Sequence, residues 1–200
     1  MRHPIAVRGF TIVELLVTVT VLGIVLMLGL PNLSAWLQNT QIRGSAEAMV
    51  SGLQLARTEA LRRNRLVRFN IVDTLDASCN LTATGGNWVV SMADPTSKCN
   101  VDPSDIDDPF ILQKRSSQEG SQNAAISSSA ASVTFTGLGN VSGALLSSAA
   151  GVMQISVTNP SGGACQSAGP MRCLQVNVSA SGSVRMCDPA VSDETDPRRC

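Results

Sequence analysis

Glu14 is a carboxylate set inside a 21-residue apolar run, Phe10 to Leu30 (FTIVELLVTVTVLGIVLMLGL). At the centre of a bilayer such a charge costs about 2.5–3.5 kcal/mol, and less near an edge. Nothing between Phe10 and Leu30 supplies a cation to offset it. The junction just ahead, Arg8-Gly9-Phe10, suggests a source. Cleavage after Gly9 would leave an α-amine on Phe10, and that amine could meet the Glu14 carboxylate of a neighbouring subunit. A secretory signal is cut after its apolar core, at a small-x-small site, whereas here the small residue precedes the core.

Few other residues could do chemistry. The sole His lies among residues 1–9 and Tyr is absent, so a trimmed chain would lack the commonest general base. We expect no enzymatic activity and no cofactor. Six cysteines (Cys79, Cys99, Cys165, Cys173, Cys187 and Cys200) all follow the apolar run, and an even count outside the cytoplasm reads as disulfides. Six allow several connectivities, and sequence proximity favours Cys79–Cys99, Cys165–Cys173 and Cys187–Cys200. Zinc would want CxxC-type spacing or His, so no metal is expected there. Asp94, Asp102, Asp105, Asp107 and Asp108 cluster before Pro109, but lack the alternating ligands and terminal Glu of a calcium loop. A solvated acidic loop is the expectation.

These residues need elements to position them. An apolar run of this length can cross a bilayer as a helix, because in lipid the backbone must satisfy itself. Arg2 and Arg8, with no acid beside them, place the N-terminus in the cytoplasm and the rest beyond the membrane. Pro31 should kink the helix. From Asn32 to about Asn64 the helix resumes as an amphipathic one. Ile42, Ala46, Met49, Val50, Leu53, Ala56, Ala60 and Leu61 make its stripe. One helix thus serves two solvents, lipid first and a protein sheet second. Arg62, Arg63, Arg65 and Arg68 cluster at its end, where cations solvate the terminus and complement the dipole.

Beyond residue 65 the period becomes two. Strands are predicted at 66–72, 88–92, 110–113, 133–136, 152–158, 174–179 and 183–187, the last two joined by a tight turn at Ser181-Gly182. They should form one small antiparallel sheet laid on the helix stripe. The Ser/Ala/Gln-rich stretch 116–132 reads as a mobile loop. The expected organisation is a leader (1–9), a membrane and assembly helix (10–30), its amphipathic continuation (31–64) and an extracytoplasmic β domain (65–200).

Arg8-Gly9-Phe10-Thr11-Ile12-Val13-Glu14-Leu15-Leu16 resembles the prepilin cleavage and methylation motif of type IV pilins and type II secretion pseudopilins. The resemblance implies a pilin-like α+β fold, cleavage after Gly9 by prepilin peptidase, N-methylation of Phe10 and pairing of Glu14 with a Phe10 amine during assembly. It also implies partners: other pilins or pseudopilins, the inner-membrane assembly platform and inner-membrane lipid. The protein would then be a single-pass inner-membrane protein that enters a filament. The stretch Gln54 to Val67, with Ala56-Arg57-Thr58-Glu59-Ala60 leading into Arg62-Arg63-Asn64, is similar to the helix end of the GspH/FimT/FimU group.

The tail resembles FimT and FimU minor pilins more than secretion pseudopilins. FimT-type pilins implicated in DNA uptake carry Gly-Arg-x-Arg where this chain has Gly182-Ser183-Val184-Arg185. Arg185, Arg198 and Arg199 remain as candidate phosphate contacts, nearly neutralised by Asp188, Asp193, Glu194 and Asp196. Removing residues 1–9 leaves 13 basic against 15 acidic residues, so the basic excess typical of nucleic-acid binding is absent. Three readings follow: a minor pilin with a structural assembly role, a GspH-type minor pseudopilin of type II secretion, and a DNA-binding minor pilin serving transformation.

Overall fold

The computed structural model describes residues 10–119, 122–142, 153–162, 165 and 171–200. The leader 1–9, Gly9 included, lies outside them, as does Val152. Helix α1 (Ile12–Arg63) carries both the apolar run and the amphipathic stretch. The chain divides into two compact units, Met1–Leu37 and Gln38–Cys200. The side chains of residues 28–32 lie outside the described set, and the expected kink at Pro31 falls among them. Among the described residues no helix is long and apolar enough to cross a membrane.

Among the described residues nine strands follow: β1 (Val67–Val72), β2 (Asn87–Ser91), β3 (Ile111–Arg115), β4 (Ala125–Ser128), β5 (Ser132–Phe135), β6 (Val141–Ser142), β7 (Met153–Thr158), β8 (Leu174–Val178) and β9 (Val184–Cys187). They make two antiparallel sheets where the sequence suggested one. The first runs β3-β2-β1-β5-β6 and the second β4-β7-β8-β9. The correction comes largely from residues 116–132, which are not simply a mobile loop. Ile126 is buried there, and β4 pairs with β7 from Ala125↔Thr158 to Ser128↔Ile155. Serine and alanine are weak strand formers, but one buried isoleucine and a full ladder outweigh them.

The helix stripe is the core. Ile42, Ala46, Met49, Leu53, Ala56 and Ala60 are fully buried against Val67, Phe69, Ile71, Trp88, Val133 and Phe135 of the first sheet and Ile155 and Val176 of the second. Leu61, counted in the stripe by spacing, is exposed instead. Gly52 sets the closeness of approach. A Cβ there would come within 2.7 Å of the Phe69 ring and 3.1 Å of the Trp88 indole. Those two rings pack with centroids 5.7 Å apart.

Helix α1 ends in a Schellman motif: Arg65 N–H donates to Ala60 C=O and Asn64 N–H to Leu61 C=O, with Asn64 at φ 49°. Above it, Arg57 Nε donates to Gly139 C=O at 3.0 Å, and Val141 N–H donates to Ala180 C=O, tying the first sheet to the β8–β9 turn. A Cβ on Gly182 in that turn would sit 1.9 Å from the same Gly139 oxygen. Disulfides join Cys79 to Cys99, Cys165 to Cys173 and Cys187 to Cys200. Beside the first, Lys114 Nζ donates to the carbonyls of Cys99, Asn100 and Val101 at 3.0–3.2 Å, an internal cation for the loop that follows. Every buried residue of both clusters lies between Ile42 and Val178, so the core of the described residues falls within Gln38–Cys200.

Two substitutions test this packing. Gly52→Ala forces the Phe69 and Trp88 rings apart and should lower unfolding stability by about 1–3 kcal/mol, read from urea denaturation. Lys114→Met keeps the stem but leaves three carbonyls without their donor. It should cost about 1.5–3 kcal/mol and raise amide exchange across residues 99–102.

Candidate assembly site

The N-terminal end of α1 is built from Thr11 inward. Thr11 Oγ1 accepts the Glu14 N–H at 3.2 Å, and Thr11 C=O accepts the Leu15 N–H, so Thr11 caps the helix and Glu14 holds its third position. That spacing, Thr-x-x-Glu, is the capping-box signature. It was legible in the sequence and overlooked beside the membrane pattern. A carboxylate in the first turn also lies at the positive end of the helix dipole. Among the described residues no cation pairs with the Glu14 carboxylate.

Around this carboxylate the helix is apolar on every side. Phe10 is 83 % exposed, and Ile12, Val13, Leu15, Leu16, Val17, Val19, Val21, Leu22, Ile24, Val25, Leu26 and Met27 are all exposed. An amphipathic helix would bury one stripe and wet the other, and this segment does neither. Thr18 and Thr20 hide their hydroxyls by donating to the carbonyls of Leu15 and Val17.

The candidate DNA residues converge on the C-terminal tail but are engaged there. The tail doubles back along β9: Asp188 N–H donates to Arg198 C=O at 2.7 Å, and the Cys187–Cys200 disulfide closes the loop. Arg185 Nη2 donates to the carbonyls of Pro197 and Arg199. Arg198 pairs with Asp196 at 2.6 Å, and Arg199 with Glu194 at 3.1 Å. A phosphate would have to displace or share these partners. At the other arginine cluster, Arg62 and Arg63 both hold Glu59, at 2.6 and 2.7 Å, and Arg63 also reaches Asp105 at 2.8 Å. Hydrogen bonds from these two guanidinia hold the Glu59 carboxyl below its usual range.

Among the described residues no group of three or more His, Cys, Asp or Glu is placed to hold a metal ion. Sequence reasoning did not single out Arg172, one of the residues lining a pocket of about 380 Å³ between the start of the second unit's helix, β8, β9 and the tail. Isolated arginines carry no local signal, and this one is placed by tertiary structure alone.

The tail's charge pairing predicts its acid response. The Arg198 side chain and backbone N–H hold Asp196 down to about 2. A depressed carboxyl contributes to tail order above its unfolded value near 3.9, and the contribution is lost as pH falls through about 2. The Asp196 carboxyl carbon, followed by NMR, should titrate near pH 2, and Arg198→Gln should move the midpoint toward ordinary carboxyl values.

Comparison with known proteins places these features. No curated protein sequence matches the chain. Two solved structures similar to it are of the Pseudomonas aeruginosa (strain PAO1) type IV minor pilin FimU. The form in space group P65 has a TM-score of 0.48 and 13 % identity, covering 76 % of this chain and 97 % of that one. The form in space group P21 has a TM-score of 0.46 and 15 % identity, covering 76 % and 92 %. The profile of the family described as type II transport protein GspH matches residues 45–182, which is more than half of the sequence. The chain belongs to the GspH family of pilins and pseudopilins.

Proposed function

We propose that the protein is a minor pilin of the FimT/FimU kind, built into or priming a type IV pilus as a structural subunit. The observation that carries this reading is the start of α1: a helix apolar on all sides with one carboxylate, Glu14, in its first turn. A helix of that surface belongs in lipid before assembly and among other helices after it. On this reading prepilin peptidase cuts after Gly9, Phe10 is N-methylated, and its amine neutralises Glu14 of an adjoining subunit. The subunit would wait in the inner membrane, N-terminus in the cytoplasm, for the assembly platform and other pilins. The arginines of the tail serve to fix the tail in this reading, and DNA contact is no part of it.

A second reading is a GspH-type minor pseudopilin of type II secretion, which the description of the matching family favours. Deleting the gene and scoring twitching, protein secretion and transformation together separates the readings. Loss of twitching alone supports the first, and loss of secretion alone supports the second.

Two measurements test the mechanism common to both. Intact mass of the native chain should correspond to a start at N-methylated Phe10, and a chain still beginning at Met1 would defeat it. Glu14→Ala should insert into the membrane at normal levels, because it removes a desolvation cost. It should nevertheless reach the filament at least about tenfold less often, since a buried amine then loses its counter-charge. Normal filament incorporation of that variant would refute the pairing.

A further inference from the structure

The pocket of about 380 Å³ beside the tail is lined wholly by residues of the Gln38–Cys200 unit. Leu174 and Met186 give it an apolar part, and Arg43, Arg172 and Arg198 bring cations to it. Among the described residues Asp188 is the only carboxylate in the lining, and its Oδ1 accepts the Ala190 N–H. Three arginines against one aspartate leave the lining with a net charge of +2.

The fold fixes these cations and leaves them with donors. Arg172 stands between the buried Met171 and Cys173, and its backbone N–H donates to Asn39 Oδ1 at 2.8 Å, which ties this edge of the pocket to α1. Among the described residues the Arg172 guanidinium has no ion pair. Glu47 holds Arg43 through Nε at 3.0 Å, and Asp196 holds Arg198 through Nε and Nη2. A guanidinium carries N–H groups on every nitrogen, so both keep donors beyond these bonds. A single phosphate can therefore be met here without breaking either pair.

The apolar lining narrows the choice of phosphate. Inorganic phosphate leaves Leu174 and Met186 unused, and duplex DNA calls for several cations facing several phosphates together. A phosphate ester carrying alkyl chains uses both parts of the pocket. Chain connectivity points the same way. Asn39 and Arg43 follow the exposed Trp36 by three and seven residues, and Trp is a residue of the membrane–water interface. We propose that the Arg43–Arg172–Arg198 pocket binds the phosphate of an anionic phospholipid, with Leu174 and Met186 against the first carbons of its chains. The contact would hold the folded unit at the leaflet surface before assembly. It rests on the reading that residues 10–30 lie in lipid at that stage.

The full chain in a neutral maltoside detergent, with ¹³C-labelled methionine methyls, tests the site. The Met186 methyl is the reporter, identified by the signal that Met186→Leu removes. Dioctanoyl phosphatidylglycerol should shift it saturably. Dioctanoyl phosphatidylcholine, whose head carries a balancing cation, and inorganic phosphate, which has no chains, should each bind at least about tenfold more weakly. Arg172→Gln should weaken the phosphatidylglycerol response by at least about tenfold. The Arg172 side chain is exposed and the N–H that holds Asn39 is retained, so the thermal melt should not move. If that variant does unfold, Arg43→Gln on the exposed helix surface makes the same test. A Met186 signal that phosphatidylglycerol leaves in place would overturn the proposal. So would an equal response to phosphatidylcholine, inorganic phosphate or a DNA duplex, or an undiminished response in a folded arginine variant. Carbonate extraction of native membranes reports separately on the helix: release of the chain defeats the membrane reading of residues 10–30, whereas a silent Met186 defeats the pocket alone.

Discussion

One helix carries two different surface patterns, and the packing of the folded unit follows from the second of them. Its first part is apolar on all faces. Its second part narrows to a single stripe in which Ala46, Ala56 and Ala60 stand with Ile42, Met49 and Leu53. Small residues let two sheets close on the stripe, and Gly52 removes the last obstacle beneath Phe69 and Trp88. The second part of the helix is therefore the core of the folded unit. Burial against the sheets stabilises the unit.

The change of period at the helix end was readable in the sequence because Asn64 supplies the left-handed cap and the apolar spacing shifts from 3.6 to 2 around Leu66. Most strands were readable for the same reason, within a residue or two at each end. What escaped was the division into two sheets. Strand β4 has only Ile126 to mark it, and β6 has two residues whose role comes from pairing with Phe135 and from contact with the β8–β9 turn. Neither is a local property, since a strand of serine and alanine declares itself only through its partner. The same distinction applies to the site. Gly9, Phe10 and Glu14 stand out by spacing within one short stretch. Arg172, Leu174 and Met186 meet Arg43 only after the chain has folded.

Several cations of this protein hold irregular backbone in place, and others pair with carboxylates. Lys114 donates to three loop carbonyls, Arg57 donates to Gly139, and Arg185 gathers the carbonyls of the tail. Each long cation fastens a segment too short or too polar to bury a core of its own. Disulfides do the same work covalently at the first loop and the tail. An arginine count therefore overstates how much positive charge is offered to a partner. Counterion release requires several cations free to meet phosphate together, and the tail arginines already have acceptors within their own loop.

The geometry at Thr11 sharpens what the proposed processing would achieve. The N-cap is Thr11, so Phe10 stands outside the helix and its nitrogen is not committed to a helical turn. A new α-amine at Phe10 would be a cation near the positive end of the helix dipole, which is an unfavourable place for it. Glu14, by contrast, is well placed there as an anion while the chain is alone. Trimming the leader would thus add to this helix end a cation that its own dipole repels. A carboxylate on an adjoining subunit relieves that repulsion in a medium where water cannot. The imbalance created by cleavage would then itself favour side-by-side packing, and a chain that kept its leader would feel no such pull.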